Sequence, residues 1–138
     1  MKKLFVLLTS TLLFACSSGP SLYQLAAQMP KDNRSVMLQV PEAGNPVSNG
    51  MLVATIRTAG GTSGKRLVSL LATDNLHIGI AGNSQSVNKA VAMYGLNNAE
   101  KVGKDVSLYL VGDSQSDKAD LEKAAKAKNV EMHYIMQK

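Results

Sequence analysis

The sequence predicts an α/β domain: a small, mostly parallel sheet of four to five strands with helices on its faces, built on a strand-turn-helix unit used twice. Three observations predict it. Gly82-Asn83-Ser84-Gln85-Ser86 returns thirty residues later as Gly112-Asp113-Ser114-Gln115-Ser116. Each copy follows a short apolar run, with Leu76, Ile78, Ile80 and Ala81 before the first and Val106, Leu108, Leu110 and Val111 before the second. Each copy also precedes a helix-forming stretch, and strands joined through helices run parallel by right-handed crossovers.

A leader precedes the domain. Lys2 and Lys3 form a charged start, and residues 4–14 are an apolar run too short to span a bilayer, the pattern of a secretory signal peptide over residues 1–15. The run ends at Leu13-Phe14-Ala15-Cys16, followed by Ser17-Ser18-Gly19-Pro20. In Leu13, Ala15 and Cys16 the sequence resembles bacterial lipoproteins, whose lipobox has a Leu three places before its Cys and a small residue just before it. The resemblance covers the first eighteen residues only. It implies removal of the leader, diacylation of the Cys16 thiol and acylation of the new N-terminus, and several acyl chains anchor far more firmly than one. With no Asp at Ser17 or Ser18, it also implies, in a Gram-negative envelope, the inner leaflet of the outer membrane, facing the periplasm. Cys16 is the only cysteine, so the mature domain has no disulfide and relies on a packed core. The roughly 115 residues that remain are enough for one.

Residues 16–21 read as a short tether that keeps a single domain, 22–138, close to the membrane. Leu22, Leu25, Ala26 and Met29 fall on one helical stripe, and Pro30-Lys31-Asp32-Asn33 ends that helix. A first strand is expected at 35–40 and a loop at 41–50, where Asn49-Gly50 signals a tight turn. Residues 51–58 read as a second strand, 60–64 as a flexible glycine turn, and 65–73 as a helix with Leu67, Leu70 and Leu71 inward. The repeat supplies strands at 76–81 and 106–111 and helices at 84–94, closed by Gly95, and 116–128. The second of these helices begins with Asp117, Asp120 and Glu122 and ends with Lys123, Lys126 and Lys128, the order the helix dipole favours. Strand 130–136 alternates Val130, Met132, Tyr134 and Met136 with Glu131 and His133, as an edge strand does.

In a parallel sheet the strand-to-helix turns share the carboxyl edge, where open α/β sheets bind their ligands. The candidate rim residues are Ser63 and Lys65 in the glycine turn, Asn83, Ser84 and Gln85 in the first copy, and Asp113, Ser114 and Gln115 in the second. Helix capping explains the Ser, Asn and Asp at these places, but not Gln85 and Gln115. Gly60-Gly61-Thr62-Ser63-Gly64-Lys65-Arg66 fails as a P-loop, with Ala59 where the first Gly belongs and Arg66 where a hydroxyl must meet Mg²⁺. Ser84 and Ser114 lack the Gly-x-Ser-x-Gly elbow of a nucleophile. His77 and His133 have no local partner at metal-ligand spacing, and no cofactor motif is present.

Without Lys2 and Lys3 the chain has thirteen basic and ten acidic residues, a net of +3. With few aromatics and no Arg-rich patch, that balance gives no support for nucleic-acid binding. The apolar surplus is rich in Met, which fills core gaps and also serves adaptable surfaces. Met132, Tyr134 and Met136 on the last strand are candidate edge contacts, since an exposed edge can pair with a partner's strand. Anchor, small size and the lack of a catalytic pattern point to a non-catalytic accessory or assembly factor of an envelope machine: a secretion channel, pilus or conjugation system. The partners expected are the membrane, through Cys16, and an envelope protein. The alternative is a module that binds a small polar or anionic ligand at the turns, and after that an envelope enzyme.

Overall fold

The computed structural model describes residues 20–41 and 45–137. The leader, Cys16 and the start of the tether lie outside the described residues. Within them four strands, β1 (Ser35–Gln39), β2 (His77–Ala81), β3 (Ser107–Gly112) and β4 (Glu131–Met136), form one sheet in the order β1-β2-β3-β4. All three pairings are parallel. Five helices accompany them: α1 (Pro20–Gln28), α2 (Pro46–Ala59), α3 (Gly61–Leu71), α4 (Gln85–Asn98) and α5 (Gln115–Ala127). The small α/β fold expected from the sequence is the fold observed.

The duplication is a structural one. Ile78 pairs with Leu108, Gly79 with Tyr109 and Ile80 with Leu110, each thirty residues on, so the copies lie side by side in register. Each later strand is also approached in the same way. Asn75, Asp105 and Asn129 hold left-handed backbone at φ 58°, 55° and 58°, two residues before β2, β3 and β4. Asn and Asp tolerate this conformation best after Gly, because their short polar side chains bond locally. At this amino edge the Lys104 N–H donates to Asp74 Oδ1 at 2.8 Å, and Arg34 Nε to the Asn75 carbonyl at 3.1 Å.

Residues 51–58 are helix, not the strand read from the sequence, and the helix begins inside the expected loop. Asn45 caps it by accepting the Ser48 N–H at 2.9 Å, and Pro46 stands in its first turn, where a missing N–H does no harm. The β-rich composition is offset locally, because the Thr55 and Thr58 hydroxyls donate to the Met51 and Ala54 carbonyls one turn back. Ile56 is buried while Leu52 and Val53 pack against the core beside it, a helical spacing rather than an alternation.

Residues 60–64 are not a flexible turn between a strand and a helix. Gly60, at φ 84° and donating its N–H to the Ile56 carbonyl, is the corner between α2 and α3, and residues 61–64 are already the first turn of α3. The corner packs on the third turn of α4: a Cβ on Gly60 would stand 2.4 Å from the Tyr94 ring. Gly95 is likewise not a terminator. It lies inside α4, where a Cβ would reach Leu67 of α3 at 2.4 Å, so its role is close helix packing.

Strand order fixes the layers. When each strand pairs with the next and each crossover is right-handed, every crossover helix falls on the same face. Accordingly α2 to α5 bury Ile56, Leu67, Leu71, Val87, Val91 and Leu121 against Leu38, Ile78, Ile80, Leu108 and Leu110. The other face is covered by α1, whose Leu25 and Met29 meet Tyr109 and Val111 in a small separate cluster. Leu22 and Leu25 lie near Val40 and Gly82 at the carboxyl ends of the strands, while Met29 lies over Gly79. Helix α1 therefore runs antiparallel to the strands, and its N-terminus emerges at the carboxyl edge.

Candidate functional site

Both repeated turns lie on the carboxyl edge, where the structure joins five of the eight candidate rim residues: Asn83, Ser84, Gln85, Asp113 and Ser114. Gln115 stands beside them, exposed at the start of α5. Ser63 and Lys65 do not belong to this group. They lie in the first turns of α3, beside the corner that packs on Tyr94, because the turn before them follows a helix rather than a strand.

The repeated turn now has a role for nearly every residue. Ser84 and Ser114 are the N-caps, accepting the Val87 N–H at 3.4 Å and the Asp117 N–H at 3.2 Å. Ser86 and Ser116 hold those hydroxyls in place at 3.1 and 3.2 Å. Gln85 ties the two copies together: its Oε1 accepts the Asp113 N–H at 3.1 Å, and its Nε2 lies 3.5 Å from Gln137 Oε1. The Gln115 side chain makes no hydrogen bond among the described residues. Gly82 and Gly112 do not owe their place to backbone freedom, for neither has positive φ. They leave room for a neighbour. A Cβ on Gly82 would stand 2.4 Å from Asn88 Oδ1, and one on Gly112 would stand 2.0 Å from the Tyr134 hydroxyl.

Below the turns, Lys89 of α4 lies 2.9 Å from Asp117 and 3.0 Å from Asp120 of α5. Hydrogen bonds to Asp117 and then Asp120 raise its pKa above the ordinary lysine value, against the opposing effect of burial. The edge also holds a cleft of about 420 Å³ that opens beside the first turn. Leu22 and Leu25 of α1 and Val111 of β3 make its apolar side; Gln39, Asn83 and Asn88 bring carboxamides. Asn88 is 4% exposed. Its Nδ2 donates to the Gly82 carbonyl at 2.9 Å, and its Oδ1 is buried without a partner among the described residues. Asn88 is absent from the sequence-derived candidates, although a signal was present: a polar residue on the apolar stripe of Val87, Ala90 and Val91.

The remaining candidates lie elsewhere. On β4, an edge strand as expected, Met132, Tyr134 and Met136 face the helices and pack against the main core, with Tyr134 9% exposed. The free edge of β4 is its main chain, not those side chains. On the opposite face the Tyr109 and His133 rings stack at 4.4 Å and 6°, while His77 meets Tyr109 edge-on at 6.5 Å. His133 also pairs with Glu131 at 2.6 Å. Burial, and secondarily the charge of Glu131, raises the Tyr109 pKa above the ordinary tyrosine value. Among the described residues no helix is long and apolar enough to cross a membrane. Compared with family models, with curated proteins and with solved structures, the chain matches none.

Proposed function

We propose that this chain is an outer-membrane lipoprotein, anchored through Cys16 and facing the periplasm, whose domain is a non-catalytic accessory or assembly factor of an envelope machine. The observation that carries the reading is the placement of α1. Only residues 17–19 separate Cys16 from Pro20, a reach of about 14 Å at most for four residue steps. With α1 antiparallel to the strands, an anchored domain holds its carboxyl edge, both turns and the cleft close to the membrane. The chemistry found there also supports it: the turn serines cap helices and Gln85 joins the turns, an arrangement suited to presenting a fixed surface. The small-ligand reading keeps its place as the second, favoured by the cleft.

Two measurements test the proposal. Cys16→Ser is expected to release the protein from the membrane fraction or mislocalise it, and unchanged fractionation would remove the anchor. Photo-cross-linkers at Asn83 and Asp113 are expected to capture an envelope protein in living cells, with far less capture from Lys101 and Lys104 at the opposite edge. Self-adducts alone at every position would remove the accessory role.

A further inference from the structure

The two copies of the turn are nearly identical in sequence, yet one is sealed and the other is open. Over Gly112 lies the Tyr134 phenol, whose oxygen accepts the Ser114 N–H at 3.1 Å. Over Gly82 lies the Asn88 carboxamide, which has one half bonded to the Gly82 carbonyl and the other half unpaired among the described residues. The residue thirty places beyond Asn88 is Lys118, so the second copy has no such group. Leaving a buried acceptor unmatched costs about 1–3 kcal/mol. Asn88 Oδ1 packs over Gly82, and both residues line the cleft.

The geometry points to a binding site for a small uncharged molecule that carries a secondary amide beside a short apolar group, its N–H donating to Asn88 Oδ1. An unpaired carboxamide oxygen calls for a donor. None of the described residues lining the cleft is charged, which disfavours an ion. Leu22, Leu25 and Val111 suit a methyl-sized group, and the carboxamides of Gln39 and Asn83 can donate to the amide's own carbonyl. At about 420 Å³ the cleft is in the range of small-molecule sites. The site goes beyond the accessory role and does not depend on acylation of Cys16. An acetamido sugar and a peptide unit share this chemistry.

The test is titration of the ¹⁵N-labelled mature chain in detergent micelles, read by amide NMR. The probes are N-acetylglucosamine and N-acetylalanine methylamide, with glucose and acetate as controls. Saturable shifts at Gly82, Asn83, Val111 and the Asn88 carboxamide are expected with at least one amide probe, and the tighter of the two identifies a sugar or a peptide source. Asn88→Leu, and independently Leu22→Trp, which fills the cleft and leaves Asn88 in place, are each expected to weaken binding about tenfold or more. If Asn88→Leu does not fold, Leu22→Trp decides. The proposal is overturned if neither amide probe shifts these signals, if glucose or acetate shifts them equally, or if folded Leu22→Trp binds as before.

Discussion

Gln85 and Gln115 stand at the same place in the same five-residue motif, and only one of them has a partner across the edge. Replacing Gln85 by Ala should therefore destabilise the fold by about 1 kcal/mol, the usual loss for one hydrogen bond. Gln115→Ala should stay within about 0.5 kcal/mol of the parent, as at other exposed sites. Urea unfolding of both variants checks the difference; equal losses would mean that Gln85 does not tie the turns together. Glycines divide in the same way. A Cβ at Gly50, in the interior of α2, meets nothing within 4 Å, so Gly50→Ala should stabilise by about 0.5–1 kcal/mol. Gly112→Ala drives a Cβ into the Tyr134 hydroxyl and should destabilise by about 1–3 kcal/mol. Opposite shifts in thermal midpoint are the expected readout. The motif was plain in the sequence, but its division of labour was not. Gln85 finds its acceptor role only when strand pairing brings Asp113 beside it, and Gly82 needs its small size only because Asn88 folds back over it.

Helices α4 and α5 follow the two turns and are joined through Lys89, which meets both Asp117 and Asp120. Because its pKa is raised in the folded state, the pairing contributes fully below the unfolded lysine value and is lost as pH rises through the folded one. Tyr109, raised by burial, acts in the same direction. Stability should therefore decline on the alkaline side, from about pH 10 upward. Lys89→Met should flatten that decline and cost about 0.5–1 kcal/mol at neutral pH, the range for a partly exposed ion pair. Chemical denaturation at several alkaline pH values tests this, and an unchanged slope in Lys89→Met would count against it. The elements most legible in the sequence were those with a strong period and a cap, α5 above all. Helix α2 was misread because Val53, Thr55, Ile56 and Thr58 resemble a strand by composition. What decides the matter is the Asn45 cap and a core that accepts one helical stripe, and the second is a property of the neighbours.

For the whole molecule, parallel strands followed directly from the repeat. The candidate site was half legible. The carboxyl edge and both turns were found, while the cleft was not, since it is assembled from α1, β1, β2, β3 and α4, segments as far apart as Leu22 and Val111. The uneven cladding of the sheet is equally invisible locally, because it follows from strand order.

That unevenness has a mechanical side. The helix that alone among the described residues covers the second face is also the one through which the anchor proposed at Cys16 would pull. Its grip there is the four buried side chains of Leu25, Met29, Tyr109 and Val111, while the main core on the other face does not bear on it. Load on the anchor would peel α1 away before disturbing the sheet. The nine residues of Pro20–Gln28 would then lengthen from helix to extended chain, a gain of about 17 Å. On the anchor proposed at Cys16 the domain would thus carry its own slack, and under tension it would stand off and swing the cleft edge away from the bilayer.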